Sequence, residues 1–157
     1  MRRSTRATHL DRPAAEVWST VTAAGGQDRW FTTAAPFVVR GAIDRLLGGA
    51  GRRWPVPDAA RLTTGDRAGF WRVAQVDDPA RILRLEAAVR APGVVAMTTT
   101  VEPTLAGSTL TQAISFTPAG PVGAAYLLVD LPARELVVEL AHRATLDEVS
   151  RATRPHR

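Results

Sequence analysis

From Ala68 to Thr117 apolar residues recur at every second position, and from Gly120 onward their spacing becomes helical. Strands joined by short turns form an antiparallel sheet with one apolar face. A long helix that follows them must cover that face. The period-two stretches are Ala68 to Val76, Ala80 to Arg90, Val94 to Glu102 and Thr109 to Thr117. In the second, Leu83, Leu85, Ala87 and Val89 alternate with Arg84, Glu86, Ala88 and Arg90. The third places Val95, Met97, Thr99 and Val101 on one face, and the fourth places Leu110, Gln112, Ile114 and Phe116 together. Ala91-Pro92-Gly93 and Ala106-Gly107-Ser108 supply turn chemistry between them. A meander with one wet side is predicted.

The helical stretch runs from Gly120 to about Ala152, with Leu136, Leu140 and Ala144 beside Val137, Ala141 and Glu148. Pro132 removes a backbone donor inside it, which predicts a kink, or two helices meeting near Leu131-Pro132. Ahead of the meander, Arg3 to His9 reads as an edge strand. Asp11, Pro13 and Glu16 signal the start of a helix over Pro13 to Ala23, with Asp11 able to cap it and Val17, Trp18 and Val21 on its apolar stripe. Gly25-Gly26 ends that helix. A second short helix is predicted from Arg40 to Leu47, stopped by Gly48-Gly49-Ala50-Gly51. The whole predicts an α+β fold.

Charge has to be located before it is interpreted. The 157 residues carry a formal net charge of +5, and every one of the 20 basic residues is arginine. Six of these, Arg2, Arg3, Arg6, Arg151, Arg154 and Arg157, sit at the two ends, leaving 14 against 15 carboxylates in the body. The body is nearly neutral, and no basic stripe interleaved with aromatics is present, so nucleic acid is not an expected partner. With 45% hydrophobic residues the length suits one domain, residues 1–157, with flexible basic ends at 1–4 and 154–157. Absence of cysteine and only three histidines predict no metal site and no disulfide. No apolar run reaches the length of a membrane span or a signal peptide, which predicts a cytoplasmic protein. Self-association into a homodimer is left open.

The order and spacing of several short segments resemble an uncharacterised bacterial START-like family, found alone or behind a short-chain-dehydrogenase-like domain. These segments are Ala42-Ile43-Asp44-Arg45-Leu46-Leu47-Gly48-Gly49-Ala50-Gly51, Gly65-Asp66-Arg67-Ala68-Gly69-Phe70-Trp71-Arg72-Val73, Leu83-Arg84-Leu85, Arg90-Ala91-Pro92-Gly93, Phe116-Thr117-Pro118 and Gly120-Pro121-Val122-Gly123 with Tyr126. Pro13-Ala14-Ala15-Glu16-Val17-Trp18 is similar to the first-helix signature of polyketide-cyclase and lipid-transport members of the wider superfamily. The resemblance implies a helix-grip fold, a curved antiparallel sheet around a long C-terminal helix, enclosing an apolar ligand cavity. Two departures stand out: Ala88 to Thr99 is small and apolar where relatives often carry charged residues and tryptophan, and Arg134 ends a stretch where relatives tend to have a histidine after the proline.

Within that frame Gln112 is the polar residue that strand parity turns toward the apolar side. There it either pairs with neighbouring backbone or orients a ligand. Trp71, Met97, Phe116, Leu110, Ile114 and Val95 are the expected wall, core packing being the plainer role for Met97. Tyr126 and Asp130, four apart on the last helix, share one side, and the Tyr126 phenol could orient a carbonyl or enol. Asp44 is a candidate acid or base if the cavity raises its pKa, exposed pairing being its plainer fate. His9 and His142 are each isolated in sequence, and no serine-histidine-carboxylate pattern is visible. The expected function is a cofactor-independent cyclase or dehydratase acting on an apolar, natural-product-like molecule, with Gln112, Tyr126 and Asp44 as catalytic candidates. The alternative is a carrier that binds such a molecule or a lipid without chemistry.

Overall fold

The computed structural model describes residues 2–25, 29–34, 55–88 and 93–152, and for 121–133 it describes the backbone alone. The predicted helix over Arg40 to Leu47, the glycine run after it and Asp44 lie outside these residues. Six strands form one curved antiparallel sheet in the order β1-β6-β5-β4-β3-β2. They are β1 (Arg2–Leu10), β2 (Arg67–Ala68), β3 (Trp71–Asp77), β4 (Ile82–Ala87), β5 (Gly93–Thr104) and β6 (Gly107–Pro118). Helix α1 (Ala14–Thr22) and the single turn α2 (Trp30–Thr33) precede the meander, and α3 (Gly120–Arg151) follows it. The predicted helix-grip fold is the one observed.

Local chemistry explains where the elements begin and end. Pro13, not Asp11, occupies the N-cap of α1, with no side-chain cap bond, and Asp11 lies 3.5 Å from His9 Nε2 instead. Two residues separate Asp11 from the first helical position, too far back for its carboxylate to meet the first-turn amides. The stripe Val17, Trp18 and Val21 is buried as its spacing requires. Trp18 Nε1 also donates to Asp78 Oδ1 at 2.7 Å, fastening α1 to the turn between β3 and β4. The predicted strand Ala68 to Val76 is interrupted at Gly69, whose φ of +62° breaks the ladder between β2 and β3. Its neighbour starts at Ile82, later than Ala80, because Arg81 takes a φ of 52° in the preceding turn. Gly107 opens β6 with φ +151°, so close to the Leu10 carbonyl and the Arg12 amide that a Cβ would have no room.

Helix α3 is continuous from Gly120 to Arg151, so Pro132 does not divide it into two helices. Proline deletes one hydrogen bond, and the turns on either side retain theirs. The buried stripe of α3 also differs from the predicted one. Leu136 is 59% exposed, whereas Arg134, Val138, Ala141, His142, Thr145, Glu148 and Val149 face inward. Four of these seven residues are polar, so hydrophobic spacing finds only part of the face: Ala141 and Glu148 of the predicted stripe are buried and Val137 and Ala144 pack against the core, whereas Leu136 does not.

Strand register sorts the helix-facing side of the sheet into rows. Ser4, Ile114, Met97, Leu85 and Val73 form one row, and Arg6, Gln112, Thr99, Leu83 and Val76 the next. Thr8, Leu110 and Val101 follow. At the opposite end Phe116 pairs with Val95, and Trp71 with Ala87. Because Arg134 meets Ser4, Glu139 meets Arg6 and His142 meets Thr8, α3 runs along β1 with its C-terminal half over the polar rows. Its first turns lie toward the Phe116–Val95 end, since β6 delivers the chain into α3 there.

Candidate functional site

Two chemically distinct regions occupy the space between α3 and the sheet. The first is a polar cluster centred on Gln112, which is completely buried. Thr145 Oγ1 donates to the Ala141 carbonyl at 2.9 Å, so toward Gln112 it can only accept. That fixes the amide: Nε2 donates to Thr145 Oγ1 at 3.0 Å and to Thr99 Oγ1 at 3.2 Å, and Oε1 faces His142 Nδ1 at 3.1 Å. Nδ1 must then carry the imidazole proton, and Nε2 accepts from the Thr8 hydroxyl at 2.8 Å. Every polar atom of the Gln112 amide is thus engaged by protein. Burial pushes the His142 pKa below its ordinary 6.5, against the opposing effect of Glu139, so neutral imidazole is the resting form.

Beside this cluster Arg6 bridges Glu139 at 2.7 Å and Glu135 at 3.0 Å, and Arg143 also reaches Glu139 at 2.7 Å. Hydrogen bonds from Arg6 and Arg143 hold the Glu139 carboxyl below its usual range. The Ser4 hydroxyl, followed by Arg6, does the same for Glu135. Ser4 in turn accepts from Arg134 Nε at 2.9 Å, and both side chains are buried. At the far end of α3, Glu148 accepts from Arg29 Nη1 at 2.6 Å and from the Trp30 backbone amide at 2.7 Å, fixing the start of α2 against the helix.

The second region is apolar. Trp71, Val73, Leu85, Met97, Ile114 and Phe116 are buried on the helix-facing side, and Val95 is half-buried among them. Leu110 is also buried, but it lies beyond the Gln112 row, in the closed half under α3. Tyr126 and Asp130 fall on α3, with side chains outside the described set. Of the expected catalytic trio, only the Gln112 side chain is therefore described. Sequence reasoning missed its partners. Strand parity had already turned Thr99 inward, but the His142-x-x-Thr145 spacing on one face of α3, which was the available signal, is legible only once the stripe is known to be polar.

Among the described residues no group of three His, Asp or Glu side chains is arranged to hold a metal ion, and no helix is long and apolar enough to cross a membrane. The sheet order with its covering helix defines a START-like helix-grip protein. The chain belongs to the family described as "Protein of unknown function (DUF2867)", whose pattern matches residues 3–141. No curated protein matches the sequence. Among solved structures, truncated norcoclaurine synthase from Thalictrum flavum is similar, with 13% identity over 99% of this chain and 95% of that one and a TM-score of 0.58. The same enzyme in complex with dopamine and hydroxybenzaldehyde matches with 13% identity over 99% and 88% of the two chains and a TM-score of 0.51. Protein MLL2253 from Mesorhizobium loti matches with 14% identity over 98% and 100%, at a TM-score of 0.53. At these identities the likeness is one of fold.

Proposed function

We propose that this protein binds an apolar small molecule between the sheet and the first half of α3, against Trp71, Val95, Met97, Ile114 and Phe116. The observation that carries the reading is the division of labour beneath α3. The polar row around Gln112 is saturated by Thr99, Thr145 and His142, so it closes one half of the helix–sheet space. The other half offers aromatic, aliphatic and thioether surface, the composition expected of a small-molecule site. Support comes from the fold, which in norcoclaurine synthase accommodates dopamine and hydroxybenzaldehyde.

The test uses phenylnaphthylamine, a neutral apolar probe whose fluorescence rises on leaving water, with the substitution Val95→Phe. A ligand space at Val95 accepts the larger ring, so probe binding falls severalfold and thermal stability is unchanged or higher. A close-packed interior instead resists the added carbons, at a cost of about 1–3 kcal/mol. Unaltered probe binding with lowered stability refutes the reading.

A second reading makes the protein an enzyme of cyclase or dehydratase type, favoured by the likeness to a synthase. Catalysis would then consist of folding the substrate in a dry space, with Tyr126 or Asp44 supplying hydrogen bonds or a proton and Gln112 fixing the wall. Native mass spectrometry of a co-purifying molecule distinguishes the two. A compound recovered unchanged after incubation marks a carrier, and one converted to a product lighter by one water marks a dehydrating enzyme.

A further inference from the structure

Protons in the polar cluster can be assigned along its whole length, and the assignment ends on a hydroxyl. The Thr145 hydroxyl proton is spent on the Ala141 carbonyl, which turns the Gln112 amide so that Oε1 meets His142 Nδ1 at 3.1 Å. His142 therefore carries its proton on Nδ1 and presents a lone pair on Nε2, 2.8 Å from Thr8 Oγ1. Hydroxyl, imidazole and amide stand in line: a nucleophile, a base within hydrogen-bond reach and a neutral group that holds the base in one tautomer. Gln112 and His142 are 0% and 5% exposed, whereas Thr8 is half-buried, so the end of the chain that can react is the end that solvent reaches. Thr8 lies on β1, the last strand of the sheet, and alternate backbone amides of such a strand are not taken by a further strand of that sheet. Those amides are donors suited to an oxygen that develops charge beside Thr8. Arg6 on β1 and Glu139 on α3 are the charged groups acting on the imidazole, in opposite senses, and burial keeps it neutral at neutral pH.

We propose that Thr8 is a nucleophile activated by His142, and that its substrate class is a small activated acyl ester or thioester approaching from the β1 edge. This site is separate from the apolar region and does not depend on the ligand proposed there. Thr8 Oγ1 attacks the acyl carbon while its proton passes to His142 Nε2. The bond from that carbon to the leaving oxygen or sulfur breaks, and the leaving group takes the proton from Nε2. The products are the Thr8 acyl ester and a free alcohol or thiol. Water, giving a proton to the same nitrogen, then hydrolyses the ester to the acid, and the proton returns to Oγ1. Gln112 touches no substrate and is a positioning residue: its oxygen holds the Nδ1 proton in place and favours the imidazolium that forms between steps.

The probe is para-nitrophenyl acetate, whose release of nitrophenolate is read by absorbance and whose acetyl group is located by peptide mass mapping. The sequence contains no cysteine and no lysine, which removes the side chains that most readily form stable acetyl adducts elsewhere. The intact protein should release nitrophenolate faster than buffer alone and, after acid quenching, carry acetyl on the peptide holding Thr8. Thr8→Val should lose this rate and this adduct, whereas Thr8→Ser should keep both. His142→Gln should slow the reaction by about a hundredfold or more, the loss of a positioned base. The rate should rise with pH through a midpoint below 6.5 and level off at neutrality. Gln112→Glu should move that midpoint upward, because a carboxylate beside Nδ1 favours the imidazolium. An unmoved midpoint in that variant overturns the positioning role of Gln112. Equal rates in the intact protein and Thr8→Val, or acetyl found only at other residues, overturn the nucleophile and leave the cluster a structural lock. Circular dichroism and the thermal midpoint of each variant separate loss of reaction from loss of fold.

Discussion

Replacing Glu148 with alanine should destabilise the protein by about 3 kcal/mol, because a single carboxylate satisfies two groups from a segment far away in sequence. Glu148 is 6% exposed, and its two oxygens accept from Arg29 Nη1 at 2.6 Å and from the Trp30 amide at 2.7 Å. Orphaning a buried amide costs roughly 1–3 kcal/mol, and stripping one partner from a buried ion pair roughly 3–5 kcal/mol. The second figure must be discounted. The Arg29 side chain is 22% exposed, and it continues to donate to the Gly25 and Ala24 carbonyls at 2.9 and 3.2 Å. For a chain of this length about 3 kcal/mol lowers the thermal midpoint by roughly 6–12 °C, measurable by circular dichroism. Glu148→Gln retains an oxygen for the Trp30 amide and should cost less than half as much. Equal losses in the two variants would show that the charge pair, and not the Trp30 amide, carries the effect. A loss below about 1 kcal/mol in Glu148→Ala would refute the latch altogether.

Two further outcomes follow from single groups in the interior. His142 has a folded pKa below its unfolded 6.5, so the unfolded state takes up its proton first as the pH falls. Its contribution to stability is complete above about 6.5 and is lost as the pH drops from there through the lower folded value. Urea unfolding at a series of pH values between neutrality and pH 5 should show this decline, and a His142→Gln variant should flatten it; an identical slope in both excludes His142 as the source. The Ser108 hydroxyl is fully buried and makes no hydrogen bond among the described residues, so Ser108→Ala should be neutral or stabilising by up to about 1 kcal/mol. A clear drop in the thermal midpoint would reveal a partner for that oxygen.

The meander was legible because its strands alternate strictly, and the inward set Met97, Thr99, Val101, Leu110, Gln112, Ile114 and Phe116 is the set observed. Turn chemistry located the hairpin before β6 for the same reason. Helix α3 was legible in extent but only partly in orientation, since Ala141 and Glu148 of the predicted stripe are buried, while Arg134, His142 and Thr145 are buried by polar partners about which hydrophobic spacing carries no information. Nothing in the sequence pairs Arg6 with Glu139 or Ser4 with Arg134, more than a hundred residues apart, until β1 is placed beside β6. The first strand is arginine-rich and polar on both faces, and its inward residues become meaningful only under α3. Gln112 was identifiable by parity alone; its saturation depends on His142 and Thr145 and so required the tertiary structure.

A polar row in the middle of a helix–sheet interface has a structural consequence that an apolar row would lack. Apolar contacts are non-directional, and a core of about the right volume can be repacked in more than one way, so they discriminate weakly between neighbouring arrangements. Hydrogen bonds do not tolerate a shift of the helix. Moving α3 along β1 by a single turn would separate His142 from both Thr8 and Gln112, and Arg6 from Glu139, leaving several buried groups unsatisfied at once. The cluster therefore fixes the register of α3 against the sheet, and through one continuous helix it also fixes where the first turns lie relative to the Phe116 end of β6. A ligand space beneath those turns would take its depth from contacts made at the other end of the helix. Saturation of Gln112 by protein is then consistent with a role in ligand selection exercised through the position of α3, without contact between the amide and the ligand.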